Sequence, residues 1–148
     1  MYNIAAVISS PVILDQLASG LRSSTRKVEL TESLSLLPLT DAILEQINNG
    51  DLNPSVEPFT ALTKRLTQIL EHLSEAGTIA YIEAEYFGGA GAQGSVVWFN
   101  RLVTFREFGE SEAINRALRI LGIIAISGKD EFDTVGLGRY RKTEDWQG

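Results

Sequence analysis

Cysteine is absent from this chain and histidine occurs only once, and both facts limit the metal sites and catalytic arrangements that the protein can form. Without cysteine there can be no disulfides, zinc–thiolate sites or iron–sulfur clusters. A Ser-His-Asp arrangement would have to use the single histidine, His72. A metal site would rest on carboxylates, and these do not cluster in a ligand pattern along the sequence. We therefore expect no metal, no cofactor and no catalytic residue, and an enzyme is the least favoured hypothesis.

Long apolar runs are also missing. No stretch is long enough to span a bilayer. The run Ile4–Ile8 is short for the apolar core of a signal peptide, and no basic residue precedes it. These features predict a cytoplasmic protein with no membrane partner.

Basic residues are outnumbered, with 13 Lys and Arg against 19 Asp and Glu, so the net charge is −6. An acidic surface is repelled by phosphates, and the charge therefore argues against nucleic-acid binding. Solubility alone is enough to explain such a charge. Attraction to a basic macromolecular partner is the alternative explanation.

The order of apolar patterns predicts a single globular α+β domain over residues 1–148. Strand and helix patterns follow one another as β-α-β-β-α-α-β-β-β-α, with three consecutive strands over about residues 78–105. Because strands and helices do not alternate strictly, we expect a mostly antiparallel sheet with helices packed on one face. Apolar residues at helical spacing predict the longest helix from Pro58 to about Ala76.

The C-terminal tail, about residues 127–148, is polar and punctuated by glycine. Trp146 lies close to its end, and a large aromatic side chain there favours burial over exposure. We therefore expect the tail to dock on the domain and not to extend as a free arm.

A strand predicted at 78–87 places Tyr81, Glu83 and Glu85 on one face, because alternate strand residues share a face. Two neighbouring carboxylates can do acid–base work or hold a metal. More often such a pair marks a solvent-facing surface or an acidic recognition patch. We favour the patch, with Tyr81 as an aromatic anchor for a protein partner. Gln93 is the one nearby side chain in the following glycine-rich stretch that could contact a partner or ligand.

That glycine-rich stretch, 88–94, contains Gly88, Gly89 and Gly91. Bare backbone N–H groups in such loops can hold phosphates. A P-loop or a dinucleotide-binding fingerprint needs a helix next, and here the pattern predicts a strand. A flexible or bulged connection between two antiparallel strands is the favoured structural interpretation.

A second glycine-containing stretch, 136–142, carries two arginines, Arg139 and Arg141, beside Tyr140. Cations and an aromatic ring beside glycines can form an anion site. A surface turn followed by a solvated basic run is the alternative, since acidic residues flank this stretch on both sides.

Several stretches together resemble a family of short bacterial proteins seen in cyanobacteria and actinomycetes. They cover residues 81–89 with Gln93 and Trp98, then 114–118, 130–139 and 143–146. That family has no established activity, so the resemblance carries over no catalytic residue. Its size, acidity and lack of catalytic residues are similar to those of immunity proteins of bacterial toxin systems, which is an analogy and not a motif match.

Two hypotheses follow for function. The first is a non-enzymatic protein-binding module, an immunity-type inhibitor of a basic partner, that uses Tyr81, Glu83, Glu85 and Gln93. The alternative is a small-molecule or anion-binding domain that uses Gly88, Gly89, Gly91, Arg139 and Arg141. Under either hypothesis a second copy of the chain is a further candidate partner.

Overall fold

The computed structural model of the chain describes residues 1–21, 26–49 and 54–147. Within them six strands form one sheet, and every neighbouring pair is antiparallel. The strands are β1 (Tyr2–Ser9), β2 (Val28–Glu29), β3 (Ser35–Pro38), β4 (Ile79–Phe87), β5 (Ala90–Phe99) and β6 (Leu102–Gly109). Their order across the sheet is β2-β3-β1-β4-β5-β6. The predicted α+β class with an antiparallel sheet is confirmed.

Five α-helices and two 3₁₀ helices accompany the sheet in these residues. They are α1 (Pro11–Ser19), α2 (Asp41–Asn48), α3 (Lys64–Leu73), α4 (Ala113–Ile120), α5 (Glu131–Thr134) and the 3₁₀ helices Leu137–Arg139 and Thr143–Gln147. The first three begin after Ser10, Thr40 and Thr63, whose hydroxyl oxygens accept the backbone N–H three residues ahead. None of the described helices is long and apolar enough to cross a membrane.

The helices lie on both faces of the sheet, which corrects the expectation of one covered face. Val7 and Tyr81 pack with α1, α2 and α3, whereas the adjacent Ala6 and Ile82 pack with α4. The physical reason is visible in the sequence, because β1 and the first half of β4 are continuous apolar runs. A strand with no polar alternation is typical of a sheet that is buried on both sides.

Helix α3 is shorter than the predicted helix from Pro58 to Ala76. Phe59 and Leu62 are buried as their spacing suggests, but both precede the helix. The Val56 amide donates to the Leu62 carbonyl, which closes a compact loop. Thr63 then starts α3 as its N-cap. The loop replaces the predicted first turns of the helix because its amides bond to a carboxylate of β4, described below.

The C-terminal segment, residues 127–147, lies along the first half of β1. Strand β3 pairs with β1 from Ala6 to Ser9, and the Leu39 amide just after β3 donates to the Ala5 carbonyl, so the residues of β1 before Ala5 are not paired with β3. The Asn3 amide donates to the Arg141 carbonyl at 2.9 Å, and the Ala5 amide donates to the Thr143 hydroxyl at 3.0 Å. Trp146 is 3% exposed and packs with the core on the α4 face.

Candidate ligand pocket

Tyr81 and Glu83 do not form a surface patch, which corrects the predicted acidic recognition face. Both are buried, and the Glu83 carboxylate accepts hydrogen bonds from the Tyr81 hydroxyl at 2.6 Å and from the amides of Thr60 and Ala61 at 3.0 and 3.3 Å. Burial, with the nearby Glu83 charge, raises the pKa of Tyr81 well above its ordinary value. Glu83 thus anchors the loop before α3, and only Glu85 of the three predicted residues is solvent-exposed.

The glycines of stretch 88–94 serve the strand pairing instead of forming a phosphate loop. Gly88 and Gly89 make a two-residue turn between β4 and β5, at φ 60° and 83°, conformations that favour glycine. Gly91 lies inside β5, where a Cβ would come within 2.0 Å of the Glu85 carbonyl oxygen. A strand with a tight hairpin turn therefore replaces the flexible connection that the glycine content suggests.

Arg139 and Arg141 have different environments, so the predicted anion site is not formed by the pair. The Arg139 guanidinium lies 5.2 Å from the centre of the Trp146 ring and donates to the carbonyls of Val135 and Gly136, both at 3.1 Å. It holds the C-terminal segment together. The Arg141 guanidinium has no hydrogen-bond or ion-pair partner among the described residues. It lines a pocket that includes Gly138 of the same stretch but none of Gly88, Gly89 and Gly91.

This pocket, of about 400 Å³, lies between the end of the sheet, α4, α5 and the C-terminal segment. Strand register brings one wall together, since Tyr2 of β1 is opposite Tyr86 of β4, and Ala84 of β4 is opposite Gln93 of β5. Arg141 of the C-terminal segment borders the same cavity. The structure thus brings together one residue from each functional hypothesis, Gln93 and Arg141.

Gln93 is only 8% exposed and both ends of its amide are engaged. Its Oε1 accepts the backbone N–H of Ile114 at 2.8 Å, and its Nε2 donates to the Tyr86 hydroxyl at 2.9 Å. The first bond caps α4, whose own N-cap residue Glu112 makes no side-chain capping hydrogen bond. One Nε2 hydrogen of Gln93 remains available at the pocket, because a primary amide carries two.

Asn115 is 5% exposed and connects α4 to the start of α5. Its Nδ2 donates to Asp130 Oδ2 at 3.1 Å, and its Oδ1 accepts the Phe132 amide at 2.8 Å. The other carboxylate oxygen of Asp130 accepts the Asp133 amide at 2.8 Å. Asn115 and Asp130 both line the pocket, and their mutual bond fixes the orientation of the carboxylate.

Aromatic rings form the apolar walls. Tyr2 and Phe132 meet edge to face with ring centres 5.7 Å apart. The Tyr2 hydroxyl donates to the Leu137 carbonyl at 2.9 Å, and burial raises the pKa of Tyr2 above its ordinary value. The Tyr86 hydroxyl donates to the Glu110 carbonyl. Both tyrosines are therefore held in place by hydrogen bonds to the backbone, and the walls are preformed.

Sequence reasoning missed Tyr2, Asn115, Asp130 and Phe132 as site residues. For Asn115 a signal exists, because this amide sits directly beside the apolar stripe of a helix and a buried polar side chain must find partners. Asp130 is the N-cap of α5, and a capping role alone would account for an aspartate at this position. Nothing local in the sequence connects these residues to Tyr2.

A larger groove of about 620 Å³ lies among α1, α2 and α3. It is lined by Leu21 and Ile47, which are close in sequence to residues 22–25 and 50–53, and those residues lie outside the described ranges. We assign no site to it. In the part of the chain that the structure describes, no group of three His, Asp or Glu side chains is arranged to hold a metal ion.

A comparison with known proteins finds no matching family, no matching curated protein and no matching solved structure. The function has to be inferred from the geometry of the pocket itself.

Proposed function

We propose that this protein binds a small polar molecule in the pocket between the end of the sheet and the C-terminal segment. The observation that carries the proposal is the pair of buried amides, Gln93 and Asn115, which line a cavity of about 400 Å³ beside Arg141, whose guanidinium has no partner in the described part of the chain. Concave sites with aromatic walls and a few oriented polar groups are typical of ligand pockets, which enclose about 300–1,000 Å³. This proposal retains Arg141 from the ligand-binding hypothesis and does not involve the glycines.

Pre-organisation supports a binding role. The amides and hydroxyls at the pocket are held by bonds to backbone or neighbouring side chains, so a ligand would not have to order them. Binding sites gain affinity when the groups that contact the ligand are fixed beforehand. Arg141 is the exception, and an exposed guanidinium without a partner remains free to bond to a ligand.

The test is a thermal-shift panel of amino acids, nucleotides, sugar phosphates and organic acids on the purified full chain. A ligand at about one hundred times its Kd should stabilise the fold by roughly 2.7 kcal/mol, which raises the Tm measurably. Heteronuclear NMR then locates the ligand through the side-chain amide signals of Gln93 and Asn115. Arg141→Ala should reduce the shift clearly, and Lys142→Ala, which changes the neighbouring cation, should keep it.

The proposal is overturned if none of the tested compounds changes the Tm or the two amide signals. A compound that raises the Tm without moving those signals would place binding elsewhere and would count against this pocket.

Binding of a basic protein is a second candidate function, and a different surface supports it. Strand β6 is at the edge of the sheet, and large apolar side chains at its start and at the end of β5 are exposed, with Leu102 at 68%. The others are Phe99 and Val103. Edge strands accept an extended segment of another protein by main-chain pairing. The net charge of −6 favours a partner segment rich in lysine or arginine, because opposite charges speed association.

The test of this candidate is binding of lysine-rich extended peptides followed by fluorescence anisotropy at low and moderate salt. Val103→Glu on β6 should abolish binding, whereas Val12→Glu, which changes an exposed apolar residue of α1, should not. Equal effects of the two substitutions would contradict an edge-strand site.

A further inference from the structure

Opposite charges flank the pocket. Asp130 and Arg141 both line it, and they are the only formally charged side chains among its described lining residues. Each Asp130 oxygen accepts one protein hydrogen bond and retains a second lone pair, since a carboxylate has about four acceptor positions. Arg141 offers an unpaired planar fork of N–H donors. The pocket therefore carries one fixed anion and one free cation.

The presence of both charges at the pocket determines which ligand charges are favoured. A ligand with only a negative charge would be attracted by Arg141 but repelled by Asp130. A ligand with only a positive charge would be attracted by Asp130 but repelled by Arg141. Like charges brought together at a binding site cost affinity and are a common means of rejecting wrong ligands. A ligand that carries both charges can satisfy Asp130 and Arg141 at once.

The apolar walls limit the rest of the ligand. Tyr2 and Phe132 form an edge-to-face pair at the pocket, and Tyr86 borders it from the adjoining strand. Rings of this kind pack favourably against aliphatic or aromatic groups. The free amide hydrogens of Gln93 and Asn115 can add hydrogen bonds to a carboxylate.

We propose that the ligand is a small zwitterion of the amino-acid type, an inference that rests on the proposed function. Its carboxylate bonds to the Arg141 guanidinium, its ammonium group bonds to the Asp130 carboxylate, and its apolar side chain lies against Tyr2 and Phe132. A guanidinium and a carboxylate fit each other in a two-pronged geometry, which favours this orientation over the reverse.

The experiment is isothermal titration of the full chain with the common L-amino acids, one at a time, at neutral pH. The tightest binder is then compared with its decarboxylated amine and with its deaminated acid. Both single-charge analogues should bind at least about tenfold more weakly, since a charge-assisted hydrogen bond is lost in each case. An analogue that binds as tightly as the amino acid would overturn the inference.

Two charge-removing variants assign the two contacts. Arg141→Ala should weaken the amino acid and the deaminated acid about tenfold. It should not weaken the amine, which loses a repelling charge. Asp130→Asn removes the charge and keeps an oxygen for only one of the two protein hydrogen bonds. It should weaken the amino acid and the amine instead, and its Tm shows whether the fold is retained. The matched controls are Lys142→Ala and Asp133→Asn, and neither should change binding. Unchanged amino-acid binding in either pocket variant would overturn the inference.

The outcomes separate this inference from the proposal beneath it. If no amino acid binds but another compound shifts the Gln93 and Asn115 amide signals, the zwitterion inference is overturned and the pocket remains a binding site. If no compound of any class shifts those signals, the proposed function itself fails.

Discussion

Two polar networks in this protein are built from similar residues and have opposite characters. On the α1–α3 face, the Glu83 carboxylate is 6% exposed and is surrounded by donors, namely the Tyr81 hydroxyl, the Thr60 hydroxyl and two loop amides. On the α4 face, the Asp130 carboxylate has one donor for each oxygen and lines the pocket. Glu83 also borders two smaller cavities, of about 280 and 320 Å³, so the two carboxylates differ in their spare acceptor capacity. A buried network whose groups are all satisfied stabilises the fold. A network with spare capacity beside a cavity is suited to receive a ligand.

The comparison also shows why a carboxylate on a strand is ambiguous in sequence. The residues that enclose Glu83 come from a loop more than twenty positions earlier in the chain. The amide that orients Asp130 comes from a different helix. Whether each network is closed or open therefore depends on which distant segment covers it.

The largest expected loss of stability comes from removing the Glu83 carboxylate, the shared acceptor of the buried network. Glu83→Ala removes the acceptor for the Thr60 and Ala61 amides and for the buried Tyr81 hydroxyl, and should lower the free energy of unfolding by about 3–5 kcal/mol. Urea denaturation followed by circular dichroism measures it. Glu85→Ala, two positions along the strand and exposed, should change stability by less than about 0.5 kcal/mol. Similar losses in the two variants would contradict the assignment of Glu83 as a structural anchor.

A smaller loss is expected from the open network. Asn115→Ala removes the bonds to Asp130 and to the Phe132 amide, and should cost about 1–3 kcal/mol, because these partners lie near solvent and water can replace part of what is lost. The same urea titration serves, with Asp133→Ala as an exposed control on α5. If Asn115→Ala cost as much as Glu83→Ala, the contrast between the two networks would disappear.

An ion pair beside the pocket should appear in the acid dependence of stability. Hydrogen bonds from Arg119, at 2.8 and 3.2 Å, hold the pKa of the Glu131 carboxyl below its ordinary value. The unfolded chain therefore binds this proton at a higher pH than the folded chain does. The stability that Glu131 contributes is present above the unfolded pKa and is lost as the pH falls through the folded pKa.

Glu131→Gln should accordingly lower the Tm at neutral pH and converge with the unaltered protein in acid. Calorimetry from neutral to acid pH measures the difference in Tm between the two proteins. The control is Glu110→Gln, which changes an exposed carboxyl that has no ion pair among the described residues. A difference that persists undiminished in acid would show that Glu131 acts through packing and not through its charge.

The smallest effect is expected at Arg141. Its guanidinium contacts no other described residue by hydrogen bond or ion pair, so Arg141→Ala should change the free energy of unfolding by less than about 0.5 kcal/mol. Arg139→Ala, which removes the stacking on Trp146 and two bonds to carbonyls, should cost about 1 kcal/mol. Chemical denaturation distinguishes them. Equal destabilisation would mean that Arg141 supports the fold and is not reserved for a ligand.

Much of the fold could be predicted from local patterns. Alternation and apolar runs indicated the order of strands and helices. The last two of the three consecutive predicted strands pair through a two-residue turn, Asn100–Arg101, with both residues at positive φ. The start of α3 could not be predicted in this way. Phe59 and Leu62 have helical spacing, yet the amides between them bond to Glu83 and not to the backbone of a helical turn.

The candidate site was predictable only in fragments. Gln93 and Arg141 attracted attention for separate reasons, and their meeting at one cavity depends on the register of three strands and on the path of the C-terminal segment. Tyr2 illustrates the difficulty, because its position at the pocket follows from its pairing opposite Tyr86, far along the chain.

By itself, the amino-acid sequence determined the elements of this protein, its acidic charge and the absence of cysteine chemistry. These depend on local periodicity, capping and composition, which act within a few residues of the chain. The tertiary structure alone decided that Glu83 is buried and that Asp130 and Arg141 share a pocket. Burial and hydrogen-bond satisfaction depend on which distant segments meet, and that information belongs to no single stretch of sequence.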